Sequence, residues 1–173
     1  MLDLNGEEIK LPKLIELSKF GGDWEKFIDA IYLVFKSDFV ESRPIFRGQR
    51  LKLKKYPLVD GKEYTFYHFT HSGDNESERS PDLRRCERIG WPKVLIENCD
   101  SFGLKVWEQE RRNEKRICIW LQFASDPDYI VILAERKGYL LPWTAFLLTE
   151  NHEKRKKQRE YEAYKKTGTA NQS

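Results

Sequence analysis

The residues with the most capacity for chemistry in this sequence are a histidine, a cluster of arginines and a hydroxyl on a late strand. His68 stands inside the aromatic run Glu63-Tyr-Thr-Phe-Tyr-His-Phe-Thr70. A free imidazole titrates near ~6.5, which suits proton transfer around neutral pH. A half-buried ring making one structural hydrogen bond is the competing reading for His68, and His71 fits either description. Arg84, Arg85 and Arg88 lie in Pro81-Asp-Leu-Arg-Arg-Cys-Glu-Arg-Ile89. Helical spacing puts Leu83, Cys86 and Ile89 on one side, and the three arginines within roughly 100° of arc on the other. Guanidiniums crowded in this way need anions between them, and their planar fork matches phosphate. An exposed helix neutralised by Asp82 and Glu87 is the alternative. Trp143 and Thr144 follow Pro142 in Tyr139–Leu148. Proline has no N–H to give a ladder, so the strand is expected to be bulged or at an edge there. An indole beside a hydroxyl could stack a base and hold a phosphate oxygen. Core packing is the other account of Trp143, as it is of Trp91, Trp107 and Trp120.

The chain lacks GxSxG, P-loop, HExxH, GxGxxG and HxE…PCxxC patterns. The metal and nucleotide enzymes that carry those signatures are thereby set aside. Cys86, Cys99 and Cys118 form no CxxC pair, and an odd, scattered set is a poor disulfide framework. They read as small buried thiols in a reducing, cytoplasmic setting. With His68, His71 and His152 they do not reach the ligand spacing of a structural zinc site. No run of eighteen apolar residues exists, so no membrane span or membrane partner is expected. The acidic N-terminus, Met1-Leu-Asp-Leu-Asn-Gly-Glu-Glu, is unlike a secretory leader.

The elements that must position these residues follow from pattern. The 173 residues suffice for a single α+β domain, taken as 1–166, with 167–173 a disordered tail. Pro12 and Gly21-Gly22 bracket a short helix over 12–20. Asp23 caps a second helix to about Lys36, apolar over a wide stripe and suited to pack on a sheet. Ile45 to Leu53 looks extended, and Glu63 to Thr70, rich in β-branched and aromatic residues, reads as a strand. Residues 72–80 form a polar loop. A helix capped by Ser80 runs from Pro81 to Ile89, is broken by Trp91-Pro92, and 93–99 is a further turn. Strands follow at Leu104–Arg111, Arg116–Phe123, Tyr129–Arg136 and Tyr139–Leu148, joined by tight turns and hence antiparallel. The expected sheet has about four to six strands, mainly antiparallel, with N-terminal helices packed on it. A basic helix over Glu150–Lys166 closes the chain. Residues 151–166 carry seven Lys/Arg against three Glu, a local excess of 7 − 3 = +4. This excess is compatible with a polyanionic partner, and a solvated helix with i,i+4 pairs such as Glu153–Lys157 accounts for it at least as well.

These ordered segments resemble the phage-barnase-EndoU-colicin-RelE-like (BECR-fold) group of ribonucleases. The resemblance rests on Asp60-Gly-Lys-Glu-Tyr-Thr-Phe-Tyr-His68, Pro81 to Trp91, Lys105-Val-Trp-Glu108, Tyr129 to Phe146 and the basic helix from His152, and it covers roughly residues 24–165. It implies a helix followed by a four-stranded antiparallel sheet with RNA lying across it. It further implies metal-independent cleavage by attack of the 2′-OH, giving a 2′,3′-cyclic phosphate, in a toxin–antitoxin, phage or mobile-element setting. The positions implied as catalytic are His68, Arg85, Arg88 and Thr144, with Glu63 as a partner of His68. Those implied for RNA binding are Arg47, Arg84, Trp91, Trp143, His152 and Arg155. No metal and no small-molecule cofactor is implied. The partners implied are RNA and a cognate antitoxin or inhibitor protein. Strand parity sets Glu63 and His68 on opposite faces unless a bulge intervenes. A non-catalytic nucleic-acid-binding domain and a protein-interaction module are the other readings.

Overall fold

A computed structural model of the chain describes residues 8–124 and 127–170. A 3₁₀ turn over Leu17–Phe20 ends at Gly21, whose left-handed φ of 63° suits glycine. Asp23 then accepts from the Lys26 amide and starts α1, Trp24–Phe35. Such a side-chain cap satisfies one of the N–H groups that a helix start leaves unpaired. Phe27, Ile31 and Phe35 recur at helical spacing and are fully buried. A π-helical turn, Lys36–Glu41, carries the chain into a two-residue hairpin, β1 (Ile45–Phe46) with β2 (Gln49–Arg50).

The segment expected as a strand at 63–70 is helical: α2 spans Tyr64–Thr70. The β-propensity of its residues is overridden by packing. In a strand, Phe66 and Phe69 would face opposite ways; on a helix they share a side. Both rings pack edge-on against Phe35, and Phe69 also meets Phe39. The hydroxyl of Thr70 donates to the Phe66 carbonyl one turn back. After α2 the chain forms β3 (His71–Ser72), loops out, and returns as β4 (Ser80–Pro81), antiparallel to β3. Asp82, not Ser80, caps the one-turn helix α3, Leu83–Glu87. Trp91-Pro92 opens α4, Trp91–Asn98, instead of ending a helix, because proline fits a first helical turn.

The main sheet is the antiparallel meander β5 (Lys105–Arg111), β6 (Glu114–Leu121), β7 (Asp128–Arg136) and β8 (Tyr139–Leu148), in that order. The fold is thus the α+β class expected. Ile117, Ile119, Leu121, Val131 and Leu133 face the helices in the larger core. Trp107, Cys118, Trp120, Ile130 and Ile132 line the other face. There α5, Asn151–Ala170, lies along β5: Lys105 donates to Gln158, and Trp107 meets Tyr161. The helix runs past Lys166 to Ala170, so part of the expected tail is helical, and 171–173 fall outside the described residues. The three cysteines are free and buried. No helix among the described residues is long and apolar enough to cross a membrane.

Thr144 pairs with Ile132 and Pro142 with Leu133, leaving Trp143 as the extra residue of a bulge. This is the irregularity that Pro142 predicted, and it lies on the edge strand. Both α2 and α3 pack against β8. Side chains from those helices therefore reach round the sheet edge to the face that α5 leaves partly open.

Candidate functional site

That open part of the sheet is a cleft of about 670 Å³. Its floor comes from alternating strand positions that share one face: Gln109 and Arg111 on β5, Glu114 and Arg116 on β6, Ile132 on β7, and Thr144 and Phe146 on β8. Register ties this face together, with Trp107, Cys118, Ile132 and Thr144 in one row across the four strands. One wall is His68 from α2, Arg85 from α3, and Gly73, Asp74, Glu76 and Arg79 from the β3–β4 loop. The opposite end is Arg112 of the β5–β6 turn with Glu153, Lys156 and Lys157 of α5.

The wall is a connected network. His68 is 3% exposed, and its Nε2 lies 2.6 Å from Glu76 Oε1. Its Nδ1 faces Arg79 Nη1 at 3.4 Å. Since a guanidinium can only donate, Nδ1 accepts, and the ring carries its proton on Nε2 and donates it to Glu76. The hydroxyl of Tyr64 donates to the same Glu76 oxygen. Burial pulls His68 below the ordinary histidine value of 6.5, helped by Arg79 and opposed by Glu76. Glu76 is pushed up by burial, yet the hydrogen bonds from Tyr64 and His68 and the charge of Arg79 hold it below the usual carboxylate range. At neutral pH the pair is a neutral imidazole supporting an ionised carboxylate. The carboxylate side chain is about half exposed to the cleft (53%) while the imidazole is covered.

Positive charge gathers around that carboxylate. Arg79 also donates to the His71 carbonyl at 3.0 Å. Gly73, at φ +146°, lets the loop close on it, because a Cβ there would stand 3.2 Å from the Arg79 Cα. Arg85 Nη1 donates to both the His68 carbonyl and the Thr144 hydroxyl, at 3.1 Å each. Arg116 lies with its guanidinium carbon 4.3 Å from the Trp143 ring centre. Arg116 and Arg136 share Glu114. Burial lowers the affinity of Arg85 and Arg116 for their protons, and so do the neighbouring charges of Arg79 and Arg111, respectively. The Nε atoms of Arg79, Arg85 and Arg116 are buried with no hydrogen-bond partner. Their other nitrogens already hold protein acceptors, and the Nε of Arg85 lies 3.5 Å from Asp82 Oδ2.

The structure brings together His68, Arg85, Thr144 and Trp143 and leaves the other expected residues elsewhere. Glu63 precedes α2 and accepts from Tyr32, so it is not the partner of His68. Arg88 is the C-cap of α3, at φ −103° and ψ 19°, where helical spacing no longer holds. It stacks on Trp91 and donates to the Arg84 carbonyl, away from the cleft. Arg84 is exposed beside it. Trp91 packs on Tyr129 and donates to the Pro12 carbonyl. Arg47 is paired with Asp100. His152 and Arg155 are exposed on α5, whose Glu153, Lys156 and Lys157 line the cleft in their place. Trp143 is no free stacking platform: its ring already lies against His68, Lys54, Arg116 and Arg136. It positions the imidazole and a guanidinium.

Glu76 and Arg79 escape a reading of the sequence because a loop of Ser-Gly-Asp-Asn-Glu-Ser-Glu-Arg-Ser has no periodicity to single out any member. Arg116 had a signal: it shares strand parity with Cys118 and Trp120, so it faces the same side as two buried residues.

Among the described residues, no group of three or more His, Cys, Asp or Glu side chains is placed to hold a metal ion. Comparison with protein-family models, curated proteins and solved structures gives no match.

The two covered histidines make stability pH-dependent. Burial lowers His68 and His71 alike below 6.5. As pH falls through about 6.5 the unfolded chain takes up protons there before the folded one, so stability drops below that pH. Glu76 acts in a lower window, losing its contribution only as pH falls below the ordinary carboxylate range. Urea midpoints should therefore fall between about pH 7.5 and 5.5. Midpoints that hold steady over that range would mean the two rings are not held neutral.

Proposed function

We propose that this cleft binds RNA by its phosphodiester backbone and cleaves it by attack of the 2′-OH. The observation that carries this reading is the exposed, ionised Glu76, held by His68 and Tyr64, in one cleft with the guanidiniums of Arg79, Arg85 and Arg116. Arg79, Arg85 and Arg116 would take the non-bridging phosphate oxygens and stabilise the charge that builds on them in the transition state. Glu76 would accept the proton of the 2′-OH as that oxygen bonds to phosphorus. The bond from phosphorus to the 5′-oxygen breaks, solvent in the open cleft protonates the leaving oxygen, and a 2′,3′-cyclic phosphate remains. His68 then differs from the role expected of it: both ring nitrogens are engaged, so it is a positioning residue, and the base is the carboxylate it supports. Thr144 orients Arg85 in the same indirect way.

The experiment is cleavage of single-stranded RNA in chelator, beside the same strand lacking its 2′-hydroxyls. RNA should be cut and the deoxy strand should survive. Cleavage of both at equal rates, or of neither by folded protein, contradicts the proposal.

A further inference from the structure

The cleft is longer than one phosphate needs. Three spacings of about 4.8 Å separate β5 from β8, so its ends stand ~14 Å apart. At the β8 end are Arg79, Arg85 and Glu76. At the β5 end stand Arg111, Arg112 and Lys156, all exposed, with Lys157 half-buried behind them. Among the described residues, Arg111, Arg112 and Lys156 make no ion pair. Of the carboxylates in the lining, Glu114 is taken up by Arg116 and Arg136, and Asp74 and Glu76 belong to the loop wall at the other end. Glu153 is therefore the acid left to face the three cations. Like charges gathered on one wall repel even when exposed to solvent, and an anion laid between them relieves that repulsion.

We infer that Arg111, Arg112 and Lys156 form a second phosphate-binding subsite, so that the ligand of this cleft is a single-stranded oligonucleotide spanning at least two phosphates. The inference rests on reading the β8 end as a phosphodiester site. It adds a direction, since the strand must run across the sheet from the β8 edge toward α5. It also implies cutting within a chain, with nucleotides held on the β5 side of the scissile bond.

The test uses 2′-O-methyl oligonucleotides, which keep the phosphates but have no free 2′-OH to attack, so binding is read apart from cleavage. Competition anisotropy would compare probes carrying one, two and four phosphates, for wild type and for Arg111→Gln with Lys156→Gln. Both positions are exposed, and melting curves check that the variant is folded. Wild-type affinity should rise at least about tenfold from one phosphate to four. The variant should flatten that rise and reduce the salt slope by about 0.7, the share of the one single-strand phosphate it no longer neutralises. Equal affinity for the one-phosphate and four-phosphate probes would overturn the second subsite and leave the first standing. So would an unchanged salt slope in folded variant. If no probe binds at any length, the phosphodiester reading fails with it. Charge reversal at the same positions, Arg111→Glu with Lys156→Glu, should weaken the long probe further than the glutamines do, and no further loss would count against the subsite.

Discussion

Glu76→Gln should lower RNA cleavage by about 10²–10⁴-fold, the usual worth of a general base, while leaving RNA bound. The amide keeps the shape of the carboxylate and still accepts from Tyr64 and His68 through its oxygen, so the loop should hold its place. Binding should hold or tighten, because a negative charge has left a basic cleft. This combination separates catalysis from plain nucleic-acid binding: a binding-only domain has no cleavage to lose. The pH profile adds a second reading. With Glu76 as base, the rate should fall only as pH drops through a value below the ordinary carboxylate range and stay level across neutrality. A limb above the ordinary carboxylate range and below 6.5 would instead make a covered histidine the titrating group.

Arg85 gives the second large effect, and it divides two roles of one side chain. Arg85→Ala removes a donor to both the His68 carbonyl and the Thr144 hydroxyl, which keep only their own 3.3 Å bond, and the ion-pair partner of Asp82. A hydrogen bond from a charged group is worth about 1.5–3 kcal/mol, so a loss of that order in unfolding free energy is expected. Arg85→Lys keeps one charged nitrogen on a slightly shorter side chain, and part of the stability should return. Cleavage should not return with it, because an ammonium has no further nitrogens to fork onto a phosphate. The loss should be about 10²–10³-fold, comparable to removing one transition-state donor. If the lysine variant is both stable and fully active, Arg85 is a structural strut and the phosphate is held elsewhere.

The meander of β5 to β8 was legible because its signals are local: apolar runs punctuated by turns, and a proline whose missing N–H foretold the bulge at Trp143. The segment 64–70 reads as a strand because Tyr, Thr and Phe favour strands, whereas the spacing of its rings suits a helix. Tyr64 and His68 stand four apart, and their rings are in contact as neighbours on a helix. The parity conflict between Glu63 and His68 belongs to the strand reading alone, since Glu63 precedes the helix and bonds Tyr32. Arg85 and Thr144 could be picked out as single residues, but their meeting across 59 positions is a product of the fold. Arg88 was grouped with Arg85 on the assumption of a longer helix than the single turn that forms. Glu76 carries no mark in the sequence, because its importance comes from the groups that surround it.

The most direct test of the account is the chemistry of the new ends. A chimeric oligonucleotide that is deoxy throughout except for one ribose would be incubated with the protein in chelator, and the products analysed by mass. The account predicts a single cut 3′ to that ribose, leaving a 2′,3′-cyclic phosphate on one fragment and a 5′-hydroxyl on the other. A 5′-phosphate end, or cutting that ignores the ribose, would contradict it.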